Sequence, residues 1–214
     1  MIKEGDFIKI EYTGYDDKGQ VFDSTSGEVA KAMHQKEGPM LIVFKKDRLL
    51  AGLEEELDKM NKGEERELTL SSDKAFGTRS NEMVRIMHQK DFYKSEIMPQ
   101  VGLMISMDTD FGTMNGLIKS VSGGRVLIDF NHPLCDRSVK YKIKLLDTIT
   151  EPMAKINALL EDLLLVGKAE LVEGKATLTL SKKVDKFAEK KLYIENLLKE
   201  LIPEIKEVVI VETE

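Results

Sequence analysis

The chain has 214 residues, 42% of them hydrophobic and 33% charged, a balance that suits a soluble globular protein of two or three modest domains. No apolar run reaches the length of a membrane helix, and the opening Met1-Ile2-Lys3-Glu4-Gly5 lacks an apolar signal core, so a cytoplasmic location without membrane partners is expected. The single cysteine, Cys135, excludes an intramolecular disulfide and a multi-cysteine metal site, and the net charge of -6 argues against nucleic acid as the main partner, because phosphate binding needs a basic face.

In chain order, Phe7 to Tyr12 reads as a strand with Ile8, Ile10 and Tyr12 on one face. A polar turn, Asp16-Asp17-Lys18-Gly19, leads to Gln20-Val21-Phe22-Asp23, and Pro39 to Phe44 is a second strand candidate. Leu50, Leu53, Leu57 and Met60 stand at helical spacing, with Glu54, Glu55, Glu56 and Lys59 on the outer face and Gly63 near the expected stop. Glu65 to Leu70 alternates again. Between residues 84 and 131 the texture changes: Leu103 to Met107, Asn115 to Val121 and Arg125 to Phe130 are strand-like, the last two joined across Ser122-Gly123-Gly124, so a small all-β unit is expected. Val139 to Leu145, with Lys140, Lys142 and Lys144 at alternate places, is the clearest strand of all. Beyond Pro152, two helical patterns (Met153 to Val166 and Val184 to Leu201) and two strands (Ala176 to Leu180 and Val208 to Val211) make a compact α+β domain, whose exposed strand edges point to homodimerisation.

His34, His88 and His132 are scattered without metal-ligand spacing and read as surface or turn residues; no metal site is expected. Met-His-Gln-Lys occurs at 33–36 and again at 87–90, but the flanks differ, so it is not a structural repeat. No nucleophile elbow, phosphate loop, dinucleotide fingerprint or HExxH is present. Rotation about an X-Pro bond needs none of these. Its barrier of about 18–20 kcal/mol comes from amide resonance. An apolar, water-poor pocket with a few fixed polar groups favours the twisted amide, whose charge separation is reduced.

Phe7-Ile8-Lys9-Ile10-Glu11-Tyr12-Thr13-Gly14, followed by Gly19-Gln20-Val21-Phe22-Asp23-Ser24, resembles the opening of the FKBP-type prolyl isomerases. Leu49-Leu50-Ala51-Gly52-Leu53-Glu54-Glu55-Glu56-Leu57 with Gly63-Glu64 resembles that family's helix and turn, Ala75-Phe76-Gly77 its alanine–aromatic–glycine motif, and Val139 to Leu146 its last strand. The gap from Thr78 to Ser138, closing on Asn131-His132-Pro133-Leu134, is similar to the SlyD-like branch with its insert-in-flap domain, and the segment after Pro152 looks like the long archaeal members. The resemblance implies an α+β fold: an antiparallel sheet wrapped on a short helix (1–84 plus 131–151), an inserted all-β domain (85–130) and a C-terminal α+β domain (152–214). It also implies a cofactor-free cis/trans isomerase acting on unfolded or proline-containing polypeptides, with chaperone activity from the insert.

Carried over residue by residue, the resemblance implies catalytic roles for Tyr12, Phe22, Asp23, Leu50, Phe76 and Tyr141. Asp23 would stand beside the twisting amide, and Leu50 would offer its backbone N–H to a substrate carbonyl. Met40, Leu49 and Leu53 would line the pocket. Tyr12, Leu53 and Tyr141 fit equally well as core residues of any small barrel. Leu53 stands where the family often has tryptophan, Phe76 where it usually has tyrosine and Met40 where phenylalanine is common, which leaves a second reading: a binding module with a degenerate pocket. Of the 11 methionines, six (Met83, Met87, Met98, Met104, Met107 and Met114) lie between residues 83 and 114, either as an adaptable capture surface or as filling of an irregular core. Met104, Met107, Phe111, Met114, Leu117 and Ile118 are the candidates for chain binding.

Overall fold

The computed structural model describes residues 2–46, 49–109, 112–181 and 187–213. In chain order its elements begin with β1 (Phe7–Tyr15), β2 (Val21–Ser24), α1 (Gly27–His34), β3 (Met40–Val43), α2 (Ala51–Leu57) and β4 (Glu65–Leu70). Then come β5 (Val84–His88), α3 (Gln89–Lys94), β6 (Met104–Thr109), β7 (Gly112–Ser122) and β8 (Arg125–Asp129). The chain closes with β9 (Val139–Ile149), α4 (Pro152–Asp162), β10 (Gly167–Val172), β11 (Lys175–Ser181), α5 (Phe187–Leu201) and β12 (Glu207–Thr213). The elements gather into two compact units, one of residues 1–69 and 140–214, the other of residues 70–139.

The first unit is built on a five-stranded sheet ordered β2-β1-β9-β4, with β3 also paired to β1. β2 takes the Thr13–Tyr15 end of β1 and β3 the Phe7–Ile10 end, so the two short strands share one edge of a longer one. The lysine alternation of β9 has the anticipated cause: Val139, Tyr141, Ile143 and Leu145 are buried while Lys140 and Lys142 face out. α2 begins at Leu50, whose backbone is extended, and buries Leu53 and Leu57.

The C-terminal elements belong to this unit because they share a core with it. Ile156, Leu159 and Leu160 of α4, Leu178 and Leu180 of β11, Leu198 of α5 and Ile210 of β12 pack in one apolar cluster with Phe7 and Val43 of the first sheet. Lys155 of α4, also buried, donates to the Gly5 carbonyl at 2.8 Å and lies 5.5 Å over the Phe7 ring. Lys9–Glu161 at 2.6 Å and Lys36–Asp162 at 2.5 Å add two ion pairs to α4. β11 pairs antiparallel with β10 and parallel with β12, and α5 supplies the crossover that a parallel pair requires. β10, whose polar alternation carried no signal in the sequence, completes the sheet.

The second unit holds an antiparallel sheet ordered β5-β8-β7-β6. It is not made of strands alone: α3 places Phe92 in a core with Ile105, Ile118, Val126, Ile128 and Phe130. At its base Asn131 exchanges hydrogen bonds with the Ser80 backbone (2.8 and 3.0 Å), and Arg79 pairs with Asp129 at 2.7 Å. Burial works against the charge on Asp129, but hydrogen bonds from Asn131 and the Arg79 guanidinium outweigh it and hold this carboxyl below its usual range.

Candidate active site

Three strands bring Tyr12, Asp23 and Tyr141 onto one face of the first sheet. Gly14 stands opposite Asp23 on β2 and opposite Tyr141 on β9, and Tyr12 lies two residues back along the same face. The pairing of β1 with β2 slips between Gly14 and Tyr15, which faces Val21, so Phe22 is the extra residue of a bulge and its ring turns over Gly14. Glycine is needed there: a methyl group at position 14 would lie 2.8 Å from Phe22 Cζ and 3.0 Å from Tyr141 Cε1. The Phe22 and Tyr141 rings meet edge to face, 5.8 Å between centroids and 88° apart, and Tyr12 tilts against Tyr141 at 6.0 Å.

The polar group of this aromatic corner is Asp23, half-buried and held on both oxygens. The Tyr12 hydroxyl donates to Oδ2 at 3.0 Å, and Nε2 of His34 lies 2.7 Å from Oδ1 and 3.3 Å from the Tyr12 hydroxyl. The end of β1 is fixed in turn by Thr25, whose Oγ1 accepts from the Tyr12 N–H and whose N–H donates to the Tyr12 carbonyl. Burial first, and the Asp23 charge second, push the Tyr12 and Tyr141 phenols well above the ordinary tyrosine value, so both stay neutral. The corner therefore offers aromatic walls, two neutral hydroxyls and one oriented carboxylate.

Met40 pairs with Ile10 across β3 and β1 and so shares the face of Tyr12; it is half-buried, as are Leu49 and Leu50. Leu50 caps α2 and its carbonyl accepts from the Leu53 and Glu54 N–H groups, while Leu53 is buried. Phe76 belongs to the second unit, where its ring stacks on His132. His34, expected to be a surface or turn residue, is instead a half-buried helix-end residue bonded to Asp23. It stands 11 positions beyond Asp23, at a spacing that no motif marks, at the end of a helix with a single buried residue, Ala30.

Strand alternation divides the six residues expected to bind chains in the insert. Met104 faces Leu117 across β6 and β7, and both line an open crevice of about 890 Å³ with Met83, Phe130, Phe76 and His132. Met107 and Met114 face each other on the opposite side of these strands and pack against the insert core. Ile118 is 0% exposed, so its side chain fills the core and is not presented to a bound chain, a correction to the expectation. Phe111 lies outside the described residues. Among the described residues no cluster of three metal-ligating side chains occurs, and no helix is long and apolar enough to cross a membrane.

Comparison with known proteins matches both the sheet-and-helix unit and the insert. The family model for FKBP-type peptidyl-prolyl cis-trans isomerases matches residues 1–93, and the one described as FKBP26, IF domain, matches residues 85–134. A short-type peptidyl-prolyl cis-trans isomerase of Methanocaldococcus jannaschii is 30% identical over 152 residues, 69% of this chain and 94% of its own length. The chain belongs to the FKBP-type peptidyl-prolyl cis-trans isomerase family. It is also similar to the FKBP-type 16 kDa isomerase of Escherichia coli K12, 28% identical over 56% of this chain and 81% of that one. SlyD of Aeromonas hydrophila is 29% identical over 65% of this chain and 61% of its own length.

Proposed function

We propose that the chain isomerises X-Pro bonds at the Tyr12–Asp23–Tyr141 corner and that the insert captures unfolded segments for it. The observation that carries the first part is the Asp23 carboxylate, fixed on both oxygens beside the Phe22, Tyr12 and Tyr141 rings. A twisting amide loses conjugation, so its carbonyl and nitrogen become less charge-separated and gain from aromatic walls that keep water off. Its carbonyl carbon becomes correspondingly more electrophilic, and a fixed carboxylate favours that charge distribution without reorganising. Met40, Leu49, Leu50 and Leu53 would complete the apolar wall, with the Leu50 N–H at the head of α2 holding the substrate carbonyl. Asp23→Ala tests this: turnover of a proline tetrapeptide is expected to fall about tenfold, equivalent to roughly 1.4 kcal/mol of transition-state stabilisation. Unchanged turnover would remove Asp23 from the site.

For the insert, the support is the half-exposed Met104–Leu117 pair on a crevice of about 890 Å³. Methionine and leucine on an open face accept many sequences, and a captured chain keeps its prolines at high local concentration. Removing residues 87–130 is expected to leave tetrapeptide isomerisation in place and to abolish most catalysis of proline-limited refolding; equal refolding rates with and without the insert would overturn the capture role. Capture without tetrapeptide turnover would favour a binding module with an inactive pocket, the reading that Leu53 and Phe76 keep open. The outer strands β10 and β12, with Val172 and Val211 exposed, support self-association through the C-terminal elements, which a light-scattering mass tests.

A further inference from the structure

His34 touches the proposed site through Asp23 and the Tyr12 hydroxyl. We propose that His34 is a positioning residue for the isomerisation, holding the Asp23 carboxylate at the angle at which the substrate amide meets it; this rests on Asp23 acting in the site.

Hydrogen-bond accounting assigns the proton. The Tyr12 hydroxyl has one hydrogen, and its 3.0 Å contact places that hydrogen on Asp23 Oδ2. The oxygens of the Asp23 carboxylate are acceptors only. Nε2 of His34, 2.7 Å from Oδ1, must then carry a hydrogen and donate it. The same N–H leans on the Tyr12 oxygen at 3.3 Å, and the Tyr12 and His34 rings meet edge to face at 6.4 Å. Both carboxylate oxygens thus have one donor each, from two different elements, and the group is left with little rotational freedom. With Tyr12 alone it would pivot about a single bond.

The backbone delivers the imidazole to this place. α1 stops immediately after His34, because Gln35 takes a left-handed conformation (φ 58°) and returns its N–H to the Lys31 carbonyl. One residue further, Lys36 pairs with Asp162 of α4 at 2.5 Å. His34 is therefore followed at once by a helix stop and an anchored lysine, an arrangement suited to holding a partner still and poorly suited to a freely swinging surface histidine.

The test compares kcat/KM on a proline tetrapeptide for the full chain and four variants. His34→Phe keeps a ring and loses the donor, and is expected to lower kcat/KM about fivefold to tenfold. His34→Gln keeps an N–H donor of similar reach and is expected to stay within about threefold of the parent. Asp23→Ala with His34→Phe is expected to match Asp23→Ala alone, because the histidine acts only through the carboxylate. Nitrogen–proton correlation NMR of the parent is expected to find the Nε2–H form. Parental turnover in His34→Phe, an additive loss in the double variant, or the Nδ1–H form would each overturn the role. Parental turnover in Asp23→Ala would instead overturn the underlying reading of the site, so the two failures are distinct. If His34→Phe does not fold, the glutamine variant and the tautomer still decide.

Discussion

The rings of Phe76 and His132 lie face to face, 4.1 Å between centroids and 2° from parallel, and the Leu134 N–H donates to His132 Nδ1 at 3.2 Å. Burial lowers the basicity of this imidazole below the ordinary value of 6.5, and a proton on Nδ1 would also break the Leu134 bond. The unfolded chain therefore takes up a proton first as pH falls below about 6.5, and stability contributed by this group is present above that pH and lost below it. The melting temperature is expected to drop between pH 7.5 and 5.5, and to drop less in His132→Phe, read by a pH series of thermal melts.

Tyr12 and Tyr141 have the opposite sign. Their phenols are held above the ordinary value, so the unfolded chain loses protons before the folded one, and stability falls as pH rises past about 10. An ultraviolet titration of the five tyrosines should find two that ionise only when the protein unfolds. Tyr12→Phe should leave one.

Gly14→Ala places a methyl group where Phe22 and Tyr141 already stand. Overpacking of this kind costs about 1–3 kcal/mol. Because the rings that must move are the walls of the proposed site, turnover should fall with stability. Urea unfolding and the peptide assay together check it; a loss of stability with full turnover would place the rings outside the site.

Met104 and Ile118 are both apolar residues of the insert, yet they should behave differently when changed. Met104 is 56% exposed and Ile118 is 0% exposed. Met104→Ser and Leu117→Ser should leave the thermal melt almost unchanged and slow catalysed refolding. Ile118→Ala should cost about 2–4 kcal/mol through the cavity it opens.

Ile156 of α4 packs at 0% exposure in the cluster that includes Phe7 and Val43. Ile156→Ala is expected to cost about 2–5 kcal/mol, and removal of residues 152–214 to lower the melting temperature of the remaining isomerase sheet, because two of its core residues lose their cover. A melt of the shortened chain with unchanged midpoint would contradict this.

The sequence made some of this legible and hid the rest for physical reasons. β9 could be read because one of its faces is buried and the other solvated, which imprints alternation. Tyr12 and Asp23 could be assigned to one pocket through the ordered motifs of the family, but the hydrogen bond between them comes from the fold. The tetrapeptide Met-His-Gln-Lys shows why local reading stops: at 33–36 it ends a helix, with Gln35 left-handed, and at 87–90 it leaves a strand and starts a helix. Tertiary surroundings decide between the two. α1 and α3 are short and bury one residue each, Ala30 and Phe92, too few to leave a periodic signature. His34 was hidden for the same reason, since its partner is 11 residues away along a path that includes a turn and a helix.

β5 and β8 are hydrogen-bonded neighbours from Val84 with Asp129 to His88 with Arg125. The chain therefore departs and comes back through a doorway one strand pair wide, about 4.8 Å. Whatever lies beyond that doorway can lengthen, shorten or be exchanged without changing the gap at its threshold, and each doubling of loop length costs only about 0.6 kcal/mol. A lineage with such a doorway is free to trade one inserted module for another, and a protein engineer can do the same by splicing a foreign two-ended domain between Val84 and Asp129.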